Sequence, residues 1–143
     1  MLNLNVKKLN PIADERGFLM EIFRSDDKLF EKFGQAYVTS CYPGIVKGWH
    51  KHEKQTDNFC CIKGMIKLVI TDGKYYKELF IGERNPLLVQ IPPGLWHGFK
   101  AIGKKEALVL NIPTLPYNSK KPDEQRKHKD FFDKVYKWEI HEK

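Results

Sequence analysis

Between residues 36 and 113, six short runs of β-branched, aromatic and aliphatic residues are each closed by glycine or proline. The runs are AYVTSCY (36–42), NFCCI (58–62), MIKLVIT (65–71), YYKELFIG (75–82), LLVQI (87–91) and ALVLNI (107–112). Pro43-Gly44, Lys63-Gly64, Asp72-Gly73, Pro92-Pro93-Gly94 and Pro113 punctuate them. Runs this short, broken this often, are too short for helices and suit antiparallel strands, and Asp-Gly is a strong hairpin turn. The pattern predicts an all-β sandwich or barrel.

Helical signal is sparse. DDKLFEKFG (26–34) predicts a helix of about two turns, capped by Asp26 or Asp27 and stopped at Gly34, with Leu29, Phe30 and Phe33 on one face. NSKKPDEQRKHKD (118–130) reads as a solvated helix or a loop wrapped over the barrel. DFFDKVYKW (130–138) supplies aromatics to dock it. At 143 residues the chain has the length of one domain, with enough material for a core.

The net charge of +7 favours phosphate-bearing partners, but the lysines are scattered, as on a solvated surface. No helix-turn-helix, zinc-finger or RNP pattern accompanies them, so nucleic acid is not expected as a partner, and no stretch approaches the length of a membrane span, so a membrane is not expected either. Cys41, Cys60 and Cys61 form no disulfide framework and read as buried free thiols. Residues 1–20 lack the apolar stretch of a signal peptide. The expected location is the cytoplasm.

KGWHKHEKQTDN (47–58) carries the chemistry. On a strand, His50 and His52 share one face. A short turn brings Asp57 back toward them, and His97 follows the rigid IPPG turn. Three histidines and a carboxylate facing a barrel interior suit a divalent transition metal with open positions. The spacing resembles the metal-binding pattern of cupins: Gly44, five residues, His50-x-His52, four residues, an acid (Asp57), six residues, Gly64. The same residues also suit proton abstraction, since histidine is the side chain best matched to it near neutral pH. Trp49 and Trp96 flank the histidines, where they stack on a sugar or base or belong to the core.

A wider resemblance covers roughly residues 14–138. DERGFLMEIFR (14–24), FGQAYVTSCYPGIVKGWH (33–50), IPPGLWHGF (91–99) and TLPYNSKKPDE (114–124) resemble segments of the dTDP-4-dehydrorhamnose 3,5-epimerase family. The resemblance implies one cupin domain over residues 1–143, with a short helix and a C-terminal docking segment. It implies an isomerase of deoxysugar and polysaccharide biosynthesis, acting on a dTDP- or other nucleotide-linked 4-keto-6-deoxyhexose without a cofactor. His50 matches the base, Tyr117 the acid on the opposite face, and Asp130 the carboxylate that pairs with the base. Arg16, Glu21, Lys47, Gln55, Asp72 and His97 match substrate-binding positions, with Lys47 or His97 as stabiliser of the enolate. A homodimer is implied, with an exchanged N-terminal strand that would place Arg16 and Glu21 in the neighbour's site.

Three positions differ from the family pattern: Lys47 replaces an arginine, His52 a glutamine and Asp57 a lysine. The last reverses a charge, and two of the three create the metal-like cluster. The alternatives are therefore a metal-dependent oxygenase or isomerase using His50, His52, Asp57 and His97, a 3,4-ketoisomerase, or a non-catalytic sugar-binding relative.

Overall fold

The computed structural model describes residues 2–140. Twelve strands follow one another: β1 (Asn5–Lys8), β2 (Ile12–Asp14), β3 (Gly17–Leu19), β4 (Tyr37–Cys41), β5 (Val46–Lys51), β6 (Asp57–Lys63), β7 (Met65–Thr71), β8 (Tyr76–Gly82), β9 (Leu87–Ile91), β10 (Trp96–Ala101), β11 (Ala107–Asn111) and β12 (Gln125–Arg126). One five-stranded sheet has the order β1-β9-β6-β11-β4 and the other β12-β5-β10-β7-β8, with antiparallel pairing throughout. β2 and β3 form a separate hairpin. The six runs expected as strands are β4, β6, β7, β8, β9 and β11.

The sheets face each other across an apolar core. Ile66, Leu68 and Ile70 alternate inward from β7 and meet Phe59 and Cys61 of β6, Val89 and Ile91 of β9, and Phe99 of β10. Cys60 points the other way, onto Leu9 and Leu88, as the period-two geometry of a strand requires. All three cysteines are free and buried. Burial raises the Cys60 thiol to about 11 and the Cys61 thiol to about 12, so both stay protonated near neutral pH.

The helix expected over 26–34 is absent, and there is no helix among the described residues. The segment instead makes isolated turns, with Asp27 N–H on the Arg24 carbonyl and Phe30 N–H on that of Asp27. The barrel takes its other groups. Lys7 Nζ reaches the Asp27 carboxylate at 2.6 Å, Gln90 Nε2 donates to the Leu29 carbonyl, and Gly34 N–H donates to Pro113. Gly34 also passes so close to Leu115 that a Cβ would lie 2.3 Å from its backbone carbon.

The C-terminal segment is the wrapped loop rather than a helix. β12 adds to the edge of β5, and turns then lay Phe132, Tyr136 and Trp138 over the outer face of that sheet. Trp49 sits beneath them, fully buried, with its indole N–H donating to the Lys129 carbonyl. Trp96 packs against Phe131 and Phe132. Both tryptophans are packing residues.

Candidate active site

β5 and β10 are neighbours, and their register sets His50 opposite His97. Both histidines line a cavity of about 1170 Å³ that opens beneath the C-terminal segment. Its wall also includes Lys47, His52, Gln55, Asp57, Tyr37, Thr39, Tyr117 and Glu124.

His50 is paired with a carboxylate. Its Nδ1 lies 2.6 Å from Oε1 of Glu124, and both side chains are largely buried. Arg126 holds the other oxygen, Oε2, through Nε at 3.0 Å and a terminal nitrogen at 2.9 Å. Burial opposes charge on Glu124, but the hydrogen bonds from Arg126 and His50 outweigh it and hold the carboxyl below its ordinary value. An ionised carboxylate only accepts, so Nδ1 of His50 carries a proton, and in the neutral imidazole the lone pair is then at Nε2. This is the wiring of a general base oriented by a carboxylate.

Asp130, expected in that role, does not fill it. Its carboxylate lies 3.1 Å from Nδ1 of His128, and both side chains are exposed. The addition of β12 to β5 brings Glu124, and not Asp130, to the base. Glu124 closes the motif TLPYNSKKPDE, so the signal was present in the sequence without an assignment.

His52 lies just beyond β5, in a turn held by Asp123. The Asp123 carboxylate accepts backbone N–H groups from Glu53, Lys54 and Gln55 at 3.2, 3.0 and 2.9 Å. Its carbonyl accepts Nδ1–H of His52. Burial opposes the charge on Asp123, yet the three N–H groups leave its carboxyl below the ordinary range.

Asp57, 1% exposed, sits between His52 and His97. Its Oδ2 is 3.3 Å from Nε2 of His52 and 3.4 Å from Nε2 of His97. Its Oδ1 accepts from Gln55 Nε2 and Asn111 Nδ2, each at 2.8 Å. Burial lowers His97 to about 4 against the opposing pull of Asp57, so its imidazole is neutral near pH 7. The four-membered cluster expected of His50, His52, Asp57 and His97 therefore divides: the last two join His52, whereas His50 turns to Glu124.

Lys47 reaches Thr39 Oγ1 at 2.9 Å on the cavity wall. Tyr117 stands at the mouth, 66% exposed. Tyr37 was not expected here. Its hydroxyl accepts from Asn111 Nδ2, and burial raises its pKa. Asp72 is corrected: it caps the β7–β8 turn, accepting N–H groups of Lys74 and Tyr75 at 2.8 and 2.7 Å, and does not line the cavity. Arg16 and Glu21 also lie off the cavity of their own chain. Arg16 pairs with Asp14 on the β2–β3 hairpin, and Glu21 pairs with Arg24.

A family model described as the polysaccharide biosynthesis C-terminal domain matches residues 12–125. The chain belongs to that family. It is 40% identical, over 97% of its length and 96% of the relative's, to the "probable low-salt glycan biosynthesis epimerase Agl13" of Haloferax volcanii. Among solved structures it is similar to a dTDP sugar isomerase from Desulfovibrio desulfuricans G20. There the TM-score is 0.87 and the identity 28%, covering 96% of this chain and 95% of that one. It is also similar to dTDP-4-dehydrorhamnose 3,5-epimerase from Sulfolobus tokodaii, with a TM-score of 0.74 and 27% identity over 85% and 74% of the two chains. The fold is thus the cupin fold of these sugar-modifying proteins, as the sequence resemblance implied.

Proposed function

We propose that this protein is a nucleotide-sugar isomerase. It removes the proton from the carbon beside the ketone of a nucleotide-diphosphate-linked 4-keto-6-deoxyhexose, with His50 as base. The observation that carries this reading is the 2.6 Å pair between His50 and Glu124 on the cavity wall. The names of the relatives, an epimerase, a dTDP sugar isomerase and a 3,5-epimerase, support it. So does the cavity, which exceeds the range of about 300–1,000 Å³ usual for small ligands.

The proton transfer is assigned to side chains. Nε2 of His50 takes the proton, and the C–H electron pair moves onto the ketone oxygen to give an enolate. Glu124 stabilises the imidazolium that results. Lys47 supplies positive charge along the wall for the enolate or the diphosphate. His97 is a poor enolate donor, because neutral and with Nδ1 on the Leu95 carbonyl it offers a lone pair at Nε2. Tyr117 returns a proton from the other face, inverting the carbon. Return of the proton to the former ketone carbon, with a proton passing from the neighbouring hydroxyl to the former ketone oxygen, would instead move the keto group, so epimerisation and ketoisomerisation share this first step.

The protein works as a homodimer in this reading. The β2–β3 hairpin carries Arg16 to a second copy, where its guanidinium meets the substrate diphosphate. Exchange of substrate hydrogen with solvent, abolished by His50→Ala, is the behaviour that the assignment of His50 requires.

A further inference from the structure

We infer that Tyr37 is a catalytic residue, the hydrogen-bond donor to the enolate oxygen that forms when His50 takes its proton. The inference rests on the sugar-isomerase reading and adds to it a residue that the sequence did not single out.

The strand sets the direction of the side chain. Tyr37, Thr39 and Cys41 share one face of β4. Cys41 on that face belongs to the core between the sheets. Tyr37 and Thr39 continue the row past the core into the cavity, which both line. β4 and β5 belong to different sheets, so Tyr37 reaches the cavity from the sheet that faces the one carrying His50.

The hydrogen-bond network leaves the phenolic hydrogen unspent. Asn111, fully buried, lies opposite Tyr37 in the β4–β11 register. Its Oδ1 accepts the N–H of Asn58 at 3.0 Å, which fixes the end of the amide that carries nitrogen. Nδ2 then donates to Oδ1 of Asp57 at 2.8 Å and to the Tyr37 hydroxyl at 2.9 Å. An amide nitrogen only donates, so the phenol is the acceptor in this bond and keeps its own hydrogen for another partner. Among the described residues nothing takes that hydrogen. A hydroxyl that accepts one hydrogen bond is strengthened as the donor of the next.

The phenol also holds its proton. Burial raises its pKa above the ordinary 10; the bond from Asn111 opposes the rise, and the charges of Asp57 and Glu124 reinforce it. Tyr37 is therefore neutral near pH 7, a donor and not a base. The residue is 41% exposed, so the hydroxyl is not sealed away from what enters the cavity.

Lys47 brings a positive charge to the same stretch of wall. Its Nζ bonds Oγ1 of Thr39 at 2.9 Å, two residues along β4 from Tyr37. An aimed hydroxyl and an ammonium group together suit an oxygen that gains negative charge during the reaction. Phenols serve in this way in other enolising enzymes. When His50 takes the proton, the C–H electron pair ends on the ketone oxygen. Tyr37 shares its hydrogen with that oxygen and keeps its O–H bond. Return of a proton to carbon stays with Tyr117.

The test is Tyr37→Phe, which removes the hydroxyl and keeps the ring, beside Tyr37→Leu and Tyr117→Phe. Each protein is incubated in D2O with dTDP- and UDP-linked 4-keto-6-deoxyglucose, and deuterium exchange and product formation are followed separately. Tyr37→Phe is expected to slow both together by about 100- to 1,000-fold, while KM and calorimetric binding of thymidine or uridine diphosphate stay within about 3-fold of the parent protein. Tyr37→Leu is expected to lose about as much. Tyr117→Phe is expected to slow product formation while exchange persists, because His50 can return a solvent-derived proton to the face it came from. Exchange at the parental rate in Tyr37→Phe overturns the assignment, whether or not product still forms. A large loss in Tyr37→Leu alone overturns it, because the ring and not the hydroxyl would then matter. Loss of the fold by circular dichroism, or of diphosphate binding, in Tyr37→Phe overturns it as well, since the hydroxyl would then be structural. Failure of the parent protein itself to exchange removes the isomerase reading and Tyr37 with it, so the two failures are told apart by the parent.

Discussion

His50 and Glu124, 74 residues apart in the chain, meet through Nδ1 and Oε1 at 2.6 Å. The base lies on β5 and its carboxylate immediately precedes β12, the strand paired with it, so the last third of the chain completes the site that the first half begins.

Removing the charge of Glu124 tests that relationship. Glu124→Gln keeps the shape but allows the wrong imidazole tautomer, and the turnover rate is expected to fall by about 100- to 10,000-fold with little change in KM. Asp130→Asn, at the exposed carboxylate first assigned to this role, is expected to stay within about 2-fold of the parent protein. Steady-state kinetics of the two variants decide between the carboxylates.

Asp123 gathers three backbone N–H groups and fixes the turn that carries His52. Asp123→Ala leaves those donors without their acceptor. A loss of about 1–3 kcal/mol in urea unfolding is expected.

His97 gives the stability a pH dependence. Its folded value, about 4, lies below the ordinary 6.5, so on acidification the unfolded chain binds the proton first. The stability is whole above pH 6.5 and is lost as the pH falls from 6.5 toward 4. The gap corresponds to a loss of up to about 3 kcal/mol. Unfolding curves across this window are expected to flatten in His97→Asn, and an unchanged slope would contradict the assignment.

Much of the fold was legible because buried strands repeat with period two and end at glycine or proline. Cys60 and Cys61 show the rule, pointing to opposite cores. The segment 26–34 failed because Leu29, Phe30 and Phe33 satisfy helical spacing while the Leu29 carbonyl and the Gly34 N–H find their partners far away, at Gln90 and Pro113. The same limit hid β12, two residues long, whose existence depends on the edge of β5. His50, His52, Asp57 and His97 were readable as a group from spacing. Their division into a base and a separate triad was not, because Glu124 and Asp123, which divide them, arrive by long-range pairing.

Gly34 is one place where that long-range packing has a sharp consequence. A methyl group there would meet the Leu115 backbone at 2.3 Å. Gly34→Ala is expected to cost about 3 kcal/mol or more, measured as a lower thermal midpoint.

The N-terminal hairpin presents Phe18 and Leu19 to solvent, 69% and 63% exposed, beside Arg16. In the proposed dimer the second copy would cover them. Sedimentation at micromolar concentration is expected to give a dimer that Phe18→Asp weakens, and Arg16→Ala is expected to raise KM about 10-fold or more. A monomeric parent protein would contradict the exchanged arm.

The central claim is that His50 removes a proton beside the substrate ketone. The most direct test is mass spectrometry of a nucleotide-linked 4-keto-6-deoxyhexose incubated with the protein in D2O. Deuterium is expected at one or two carbons with the parent protein, slowly with Glu124→Gln, and not at all with His50→Ala. Label that enters equally with His50→Ala, or none with the parent protein, would contradict it.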